Sequence, residues 1–198
     1  MTPLPDTLLT DLAAAAVAEG LADAVFTRLD SPIGRLLVVS GPGGICRIGF
    51  EEESDDAQLA EVAARLGPRI VASDAELDRV RDVLGEYLEG GARNGLAALD
   101  VDLSLVASPF RRTVLETLRA EVGPGDTTSY GKLGARVGHP RAARAVGTAM
   151  ARNPVPLVVP CHRVLPGSGG VGSYAGGPAR KRALLELEGA LPPGLSPR

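Results

Sequence analysis

The chain has 198 residues, of which 44% are hydrophobic, 23% charged and 3% aromatic, with no tryptophan. These proportions exclude collagen-like, coiled-coil, disulfide-scaffold and wholly disordered chains, and the length accommodates one large domain or two small ones. The net charge of −3 hides a division: residues 1–107 carry 8 basic against 19 acidic side chains, whereas residues 108–198 carry 13 against 5. A basic half joined to an acidic half fits a protein that meets a polyanion on one face, nucleic acid above all, although the same asymmetry also accompanies a mixed domain interface.

No apolar run reaches the length of about 18 residues that a membrane span requires. The Ala-rich segment 8–25, interrupted by Asp11, Glu19 and Asp23, predicts a short helix and lacks the basic leader and cleavage site of a secretory signal. A cytosolic chain is expected, with Cys46 and Cys161 as free thiols. Residues 25–40 alternate and are rich in β-branched side chains, with Ser31-Pro32-Ile33-Gly34 as a turn, so they predict a hairpin. A third strand is expected at 45–50, a helix from the acidic cluster 51–56 to Leu66, and a brief strand at 69–72. Ser73 then caps a helix over 74–89, with Leu77, Val80, Leu84, Tyr87 and Leu88 on one face, and residues 100–106 alternate as one more strand. Composition and charge both change near Ala107-Ser108, which marks a domain boundary.

Beyond it the pattern is helical. Ser108 caps and Pro109 opens a helix with Phe110, Val114, Leu115 and Leu118 as its apolar stripe. Thr128 or Ser129 caps a short helix to Val137, Gly138-His139-Pro140 turns the chain, and residues 141–152 form another helix that stops at Asn153-Pro154. Two short helices and a tight turn read as a helix-turn-helix. The second helix combines Arg141, Arg144 and Arg152 with small residues, which suits either a duplex groove or packing against a neighbouring helix.

Residues 157–159 predict a buried apolar strand running into Pro160-Cys161-His162-Arg163-Val164, which delivers a thiol, an imidazole and a guanidinium in succession. Only a few per cent of an ordinary thiol is ionised at neutral pH, so His162 and Arg163 are candidates to lower the pKa of Cys161. Cys46, in an apolar run, reads as a small buried hydrophobe.

That pentapeptide resembles the active-site signature of the O6-alkylguanine-DNA alkyltransferases, also called methylated-DNA–protein-cysteine methyltransferases. Ser129-Tyr130, Arg141-Ala142-Ala143-Arg144-Ala145-Val146-Gly147, Asn153-Pro154-Val155-Pro156, Gly172-Ser173-Tyr174-Ala175-Gly176-Gly177 and Lys181 through Glu188-Gly189 follow the family's order and spacing. The likeness is strong over 108–190 and weaker over 27–50. It implies an α+β fold: an N-terminal extension (1–24), a small mixed α/β, RNase H-like domain (25–107), a mostly helical winged-helix or helix-turn-helix-like domain carrying the reactive cysteine (108–190), and a tail (191–198).

The resemblance further implies a monomer, with no cofactor, that repairs O6-alkylguanine in double-stranded DNA. Cys161 would accept the alkyl group, His162 would take its proton through a water, and Glu188 would hold the imidazole. Tyr130 would donate to the leaving guanine, and Asn153 would tie the recognition helix to the active-site strand. Val164, Tyr174, Ala175, Gly176 and Met150 would form the base pocket. Arg144 would replace the extruded nucleotide in the stack, with Arg141, Ala142, Arg163, Lys181 and Tyr130 as further DNA contacts. The thioether product implies one repair per molecule.

Leu115 and Ala183 stand where the family commonly has Trp, which bears on packing rather than chemistry. Gly167-Ser168-Gly169-Gly170-Val171-Gly172 spells a dinucleotide-binding pattern without its βαβ unit, and Cys46, His139, Cys161 and His162 lack zinc-ligand spacing, so neither nucleotide nor metal binding is expected. A helix-turn-helix regulator would have no need of Cys161 and His162 together. A thiol hydrolase would leave Arg144 unexplained.

Overall fold

The computed structural model describes residues 6–91 and 94–192. The N-terminal helix α1 (Asp6–Ala18) leads into β1 (Ala24–Leu29), β2 (Leu36–Gly41) and β3 (Gly44–Phe50), followed by α2 (Asp55–Leu66), β4 (Ile70–Ala72) and α3 (Asp78–Leu88). The four strands form one sheet in the order β3-β2-β1-β4, antiparallel except for the parallel β1–β4 pair. The β2 residues Leu36, Leu37, Val38 and Val39 are all buried, because successive side chains point to opposite faces and both faces of this strand are covered. Leu37 and Val39 pack with Cys46 and Val62 under α2. Leu36 and Val38 belong to the main core.

The second half supplies α4 (Pro109–Glu121), β5 (Thr128–Ser129), α5 (Tyr130–Arg136), α6 (Ala143–Ala151), β6 (Val164–Leu165) and α7 (Gly177–Leu187). Ser108 and Ser129 cap α4 and α5 by accepting from Arg111 N and Lys132 N. The apolar core runs across 107–108 without a break: Leu84 and Tyr87 of α3 and Phe50 of β3 share it with Leu115 of α4, Val146 of α6 and Leu184 of α7. Leu115 fills a fully buried core position, whereas Ala183 lies on the surface.

Several expected elements differ. Residues 100–106 form no strand, only a single bridge from Val101 to Ile45, because the Asp102 carboxylate captures Ser104 N at 2.7 Å and Ser104 Oγ at 2.9 Å and turns the chain away from the sheet. Residues 157–159 are a turn rather than a strand. Pro154, Pro156 and Pro160 remove ladder donors on either side, and Leu157 adopts φ 72°, a left-handed conformation rare for a branched side chain. The helix expected from 51 begins at Asp55, the one expected from 74 opens with a 3-10 turn at Ala75–Leu77, and the recognition helix starts at Ala143, leaving Arg141 in the turn before it. Residues 1–5 of the expected extension and 193–198 of the tail lie outside the described residues.

Backbone bonds tie the sheet to later segments of both halves. Ile48 N of β3 donates to Pro154 O at 2.8 Å, and Ile45 exchanges bonds with Asp100 O and Asp102 N, each at 2.9 Å. Gly44, at φ 106°, sits where an added Cβ would fall 2.5 Å from the Asp100 carbonyl. Gly44→Ala is therefore expected to destabilise the fold by about 2 kcal/mol or more, read as a lower urea midpoint at unchanged m-value.

Candidate active site

Cys161, His162 and Arg163 form a 3-10 turn entered from Pro160, and β6 leaves it to pair in parallel with β5, so that Thr128 lies opposite Val164 and Ser129 opposite Leu165. That pairing brings Tyr130, at the start of α5, to the cysteine. Asn153 holds the other side: its Nδ2 donates to Val159 O at 2.8 Å and its Oδ1 accepts from Val155 N at 3.1 Å. Asn153, just beyond α6, is thus tied by two hydrogen bonds to the turn that precedes Cys161.

Cys161 forms part of the wall of a pocket of about 180 Å³ with Tyr130, Gly147, Met150, Ala151, Ser173, Tyr174 and Ala175. Of the pocket residues that the resemblance implies, Met150, Tyr174 and Ala175 line this pocket together with Tyr130, whereas Val164 and Gly176 are buried and do not. Gly147, Ala151 and Ser173 are lining residues that the sequence reading misses, although the first two follow from the i, i+4 spacing on α6 and Ser173 adjoins Tyr174. A larger open cleft of about 1030 Å³ between the halves shares Ala151 and Ala175 with this pocket but contains neither thiol nor imidazole.

Behind the thiol lies a buried polar cluster. His162 Nε2 faces Glu188 Oε1 at 3.1 Å, and Arg163 embraces the same carboxylate, Nε to Oε2 at 2.9 Å and Nη2 to Oε1 at 2.7 Å, while its Nη1 donates to Val122 O. Tyr87 donates its hydroxyl to Glu188 Oε1 at 2.7 Å. Burial opposes ionisation of Glu188, but His162 and Arg163 outweigh it and hold the carboxyl down at about 2. His162 is fully buried and its pKa is lowered, by burial first, against the opposing pull of Glu188, so the imidazole is neutral at pH 7. With Nε2–H donating to Glu188, Nδ1 carries the lone pair.

Two charges expected on the DNA face are elsewhere. Arg163 is 5% exposed and engaged by Glu188, because the buried carboxylate requires a cation beside it. Lys181 is 1% exposed and donates from Nζ to Val164 O at 2.7 Å. Residues 181, 184, 185 and 188 recur at helical spacing on the inward stripe of α7, which carries Lys181 and Glu188 into the interior with Leu184 and Leu185. Nor is the Cys161 thiol depressed: burial pushes it up, with Asn153 and Lys181 the leading influences that favour the thiolate. Arg163 does not act as its cation, being neutralised by Glu188. Arg141 and Arg144 are exposed and Ala142 half-buried around the start of α6. Cys46 is buried and pushed up to about 11 by desolvation, which leaves it an unreactive thiol.

Glu188 and His162 both have pKa values below their unfolded ones, so each contributes stability above its unfolded pKa that is lost on acidification. The His162 contribution declines below about pH 6.5, and the Glu188 contribution, on the order of 3 kcal/mol, from about pH 4.5 down to about 2. Urea unfolding across this range should show stability falling with pH, and Glu188→Gln should flatten the lower part of the curve.

Residues 109–190 match the profile of the 6-O-methylguanine DNA methyltransferase DNA-binding domain. The methylated-DNA–protein-cysteine methyltransferase of Mycobacterium bovis is 44% identical over 163 residues, 82% of this chain and 91% of that protein. Its namesake in Haemophilus influenzae is 32% identical over 165 residues, covering 82% and 85%. Among solved structures, Mycobacterium tuberculosis O6-methylguanine methyltransferase superposes with a TM-score of 0.71 at 31% identity over 86% of this chain and 96% of that one. The OGT of the same organism, solved in complex with DNA, gives 0.68 at 33% over 83% and 92%. Likeness of this extent along nearly the whole of its relatives makes the chain a member of the methylated-DNA–protein-cysteine methyltransferase family.

Proposed function

We propose that this chain reverses O6-alkylguanine damage in duplex DNA by irreversible transfer of the alkyl group to Cys161, one lesion per molecule. The observation that carries the reading is the thiol in the pocket wall, backed by a neutral imidazole on a buried carboxylate and flanked by a helix with an exposed arginine at its start. We assign this activity to residues 108–190, with residues 25–107 bracing them, and place the protein in the cytoplasm, where a reduced thiol and DNA coexist.

Each side chain has a task that matches its surroundings. A buried, protonated thiol is a poor nucleophile until a base removes its proton, and His162 Nδ1 is the basic atom available, directly or through a water. The sulfur attacks the alkyl carbon, the carbon–O6 bond breaks, and the electron pair departs on the guanine. Tyr130, half-buried at the pocket, has a pKa raised by desolvation and then by the neighbouring sulfur, so it remains a phenol able to donate to the developing negative charge. The resulting imidazolium is stabilised by Glu188. The base reaches this pocket only after rotation out of the duplex, which costs a few kcal/mol, and Arg144 is the exposed side chain positioned on α6 to fill the gap. Arg141 and Ala142 contact the backbone beside it.

Titration with a duplex bearing methyl-labelled O6-methylguanine tests this directly. The label is expected on the Cys161 peptide at one per chain. Intact DNA binding with no transfer would instead identify a helix-turn-helix regulator, and turnover of small esters a thiol hydrolase. Cys161→Ala should bind DNA and transfer nothing. Arg144→Ala should lose about tenfold or more in duplex repair rate while losing much less with a free O6-alkylguanine base. Equal loss on both substrates would refute the role given to Arg144.

A further inference from the structure

We infer that Tyr87, contributed by α3 of the N-terminal half, is a positioning residue for the proton relay: its hydroxyl fixes the Glu188 oxygen that holds the His162 imidazole. The inference rests on the reading of His162 as the base for Cys161, and extends it by making that base depend on a residue 101 positions from Glu188 in the chain.

Tyr87 lies on the buried face of α3 with Leu84 and Leu88 and is 0% exposed. A phenylalanine would fill the same ring volume, and a buried hydroxyl is tolerated only where it finds a partner. Here the partner is the oxygen that also accepts from His162 Nε2 at 3.1 Å and Arg163 Nη2 at 2.7 Å. Arg163 already balances the charge of Glu188. A second cation in place of the phenol would leave net positive charge beside an imidazole that must accept a proton, whereas a neutral donor satisfies the oxygen without adding charge. Burial and the adjacent carboxylate keep the Tyr87 phenol protonated, so it donates throughout the working range.

The groups facing His162 come from four segments: Glu188 and Lys181 from α7, Arg163 from its own turn, Tyr174 from the loop beyond, with ring centroids 6.4 Å apart, and Tyr87 from α3 through Glu188. Removing the phenolic oxygen takes one donor from Glu188 Oε1, and the less satisfied carboxylate draws harder on the imidazole N–H. The imidazole then protonates at higher pH and ceases to act as a base there.

The experiment is single-turnover alkylation of Cys161 by free O6-benzylguanine across about pH 5–9. In Tyr87→Phe the acid limb of the profile is expected to move to higher pH by roughly half a unit or more, so that the rate near the foot of the limb falls about threefold while the high-pH plateau is kept. In a Glu188→Gln background, adding Tyr87→Phe should move the limb no further. An unmoved limb accompanied only by a lower melting temperature overturns the inference and leaves Tyr87 a structural residue. A shift of the same size without Glu188 also overturns it. Failure of the wild-type chain to accept the alkyl group defeats the repair reading itself, which is a different result. Should either variant fail to fold, proton NMR of the intact protein decides: the Tyr87 phenolic proton should shift with the titration of His162, and a phenolic resonance indifferent to it overturns the inference.

Discussion

The arrangement around Cys161 depends on one buried carboxylate. Glu188 sits at the C-terminal end of α7, where the helix dipole disfavours negative charge, and it is 1% exposed, so without strong partners it would be neutral. Arg163 supplies a counter-charge in bidentate geometry, and Tyr87 and His162 both bond its Oε1. Because Arg163 and His162 adjoin Cys161 in one turn, satisfying Glu188 also fixes the direction of the thiol. A buried ion pair of this kind adds little net stability against an apolar substitute, but breaking it by removing one partner leaves an uncompensated charge, which makes the turn's conformation effectively all-or-none.

The burial of the sulfur follows the same logic. An exposed, strongly ionised thiol would react with any oxidant or electrophile, and a protein that accepts one group and is then exhausted gains from avoiding that. Desolvation keeps Cys161 protonated, while Asn153 and Lys181 lower the cost of the thiolate that attack requires. The sulfur borders the pocket that Tyr130 and Tyr174 also line.

The N-terminal half contributes more than solubility. Arg180 of α7 donates to the Ile33 carbonyl in the hairpin turn, pairs with Glu51 at 2.9 Å and Glu52 at 2.6 Å, and lies 5.0 Å over the Phe50 ring. Phe50 in turn meets Tyr174 edge-on at 5.8 Å, so the pocket wall is braced from the sheet. The bond from Ile48 to Pro154 suspends the Asn-Pro turn from the edge of β3. The acidic surplus of the first half is therefore partly spent on holding a cation of the second, which is the mixed-interface explanation of the charge division operating beside the polyanion one.

Legibility in the sequence followed the range of the interaction. The hairpin, the caps at Ser108 and Ser129, the helix-turn-helix and the Cys161-His162 pair are written in neighbouring residues, whose periodicity and turn chemistry act over a few positions. Resemblance then extended the reading to Glu188, Tyr130 and Arg144. The strand expected at 100–106 failed because the Asp102 side chain competes locally with the ladder, and the strand at 157–159 failed because the prolines around it deny the backbone its donors. The resemblance implies DNA contacts for Arg163 and Lys181, but the packing of α7 and the demand of Glu188 turn both inward. Periodicity puts Tyr87 on the apolar face of its helix, but nothing local names the partner of its hydroxyl. Its partner is brought to it by the way α3 and α7 pack into one core, and hydrogen bonds between such distant segments are specified by topology and buried charge, not by the pattern of residues on either side.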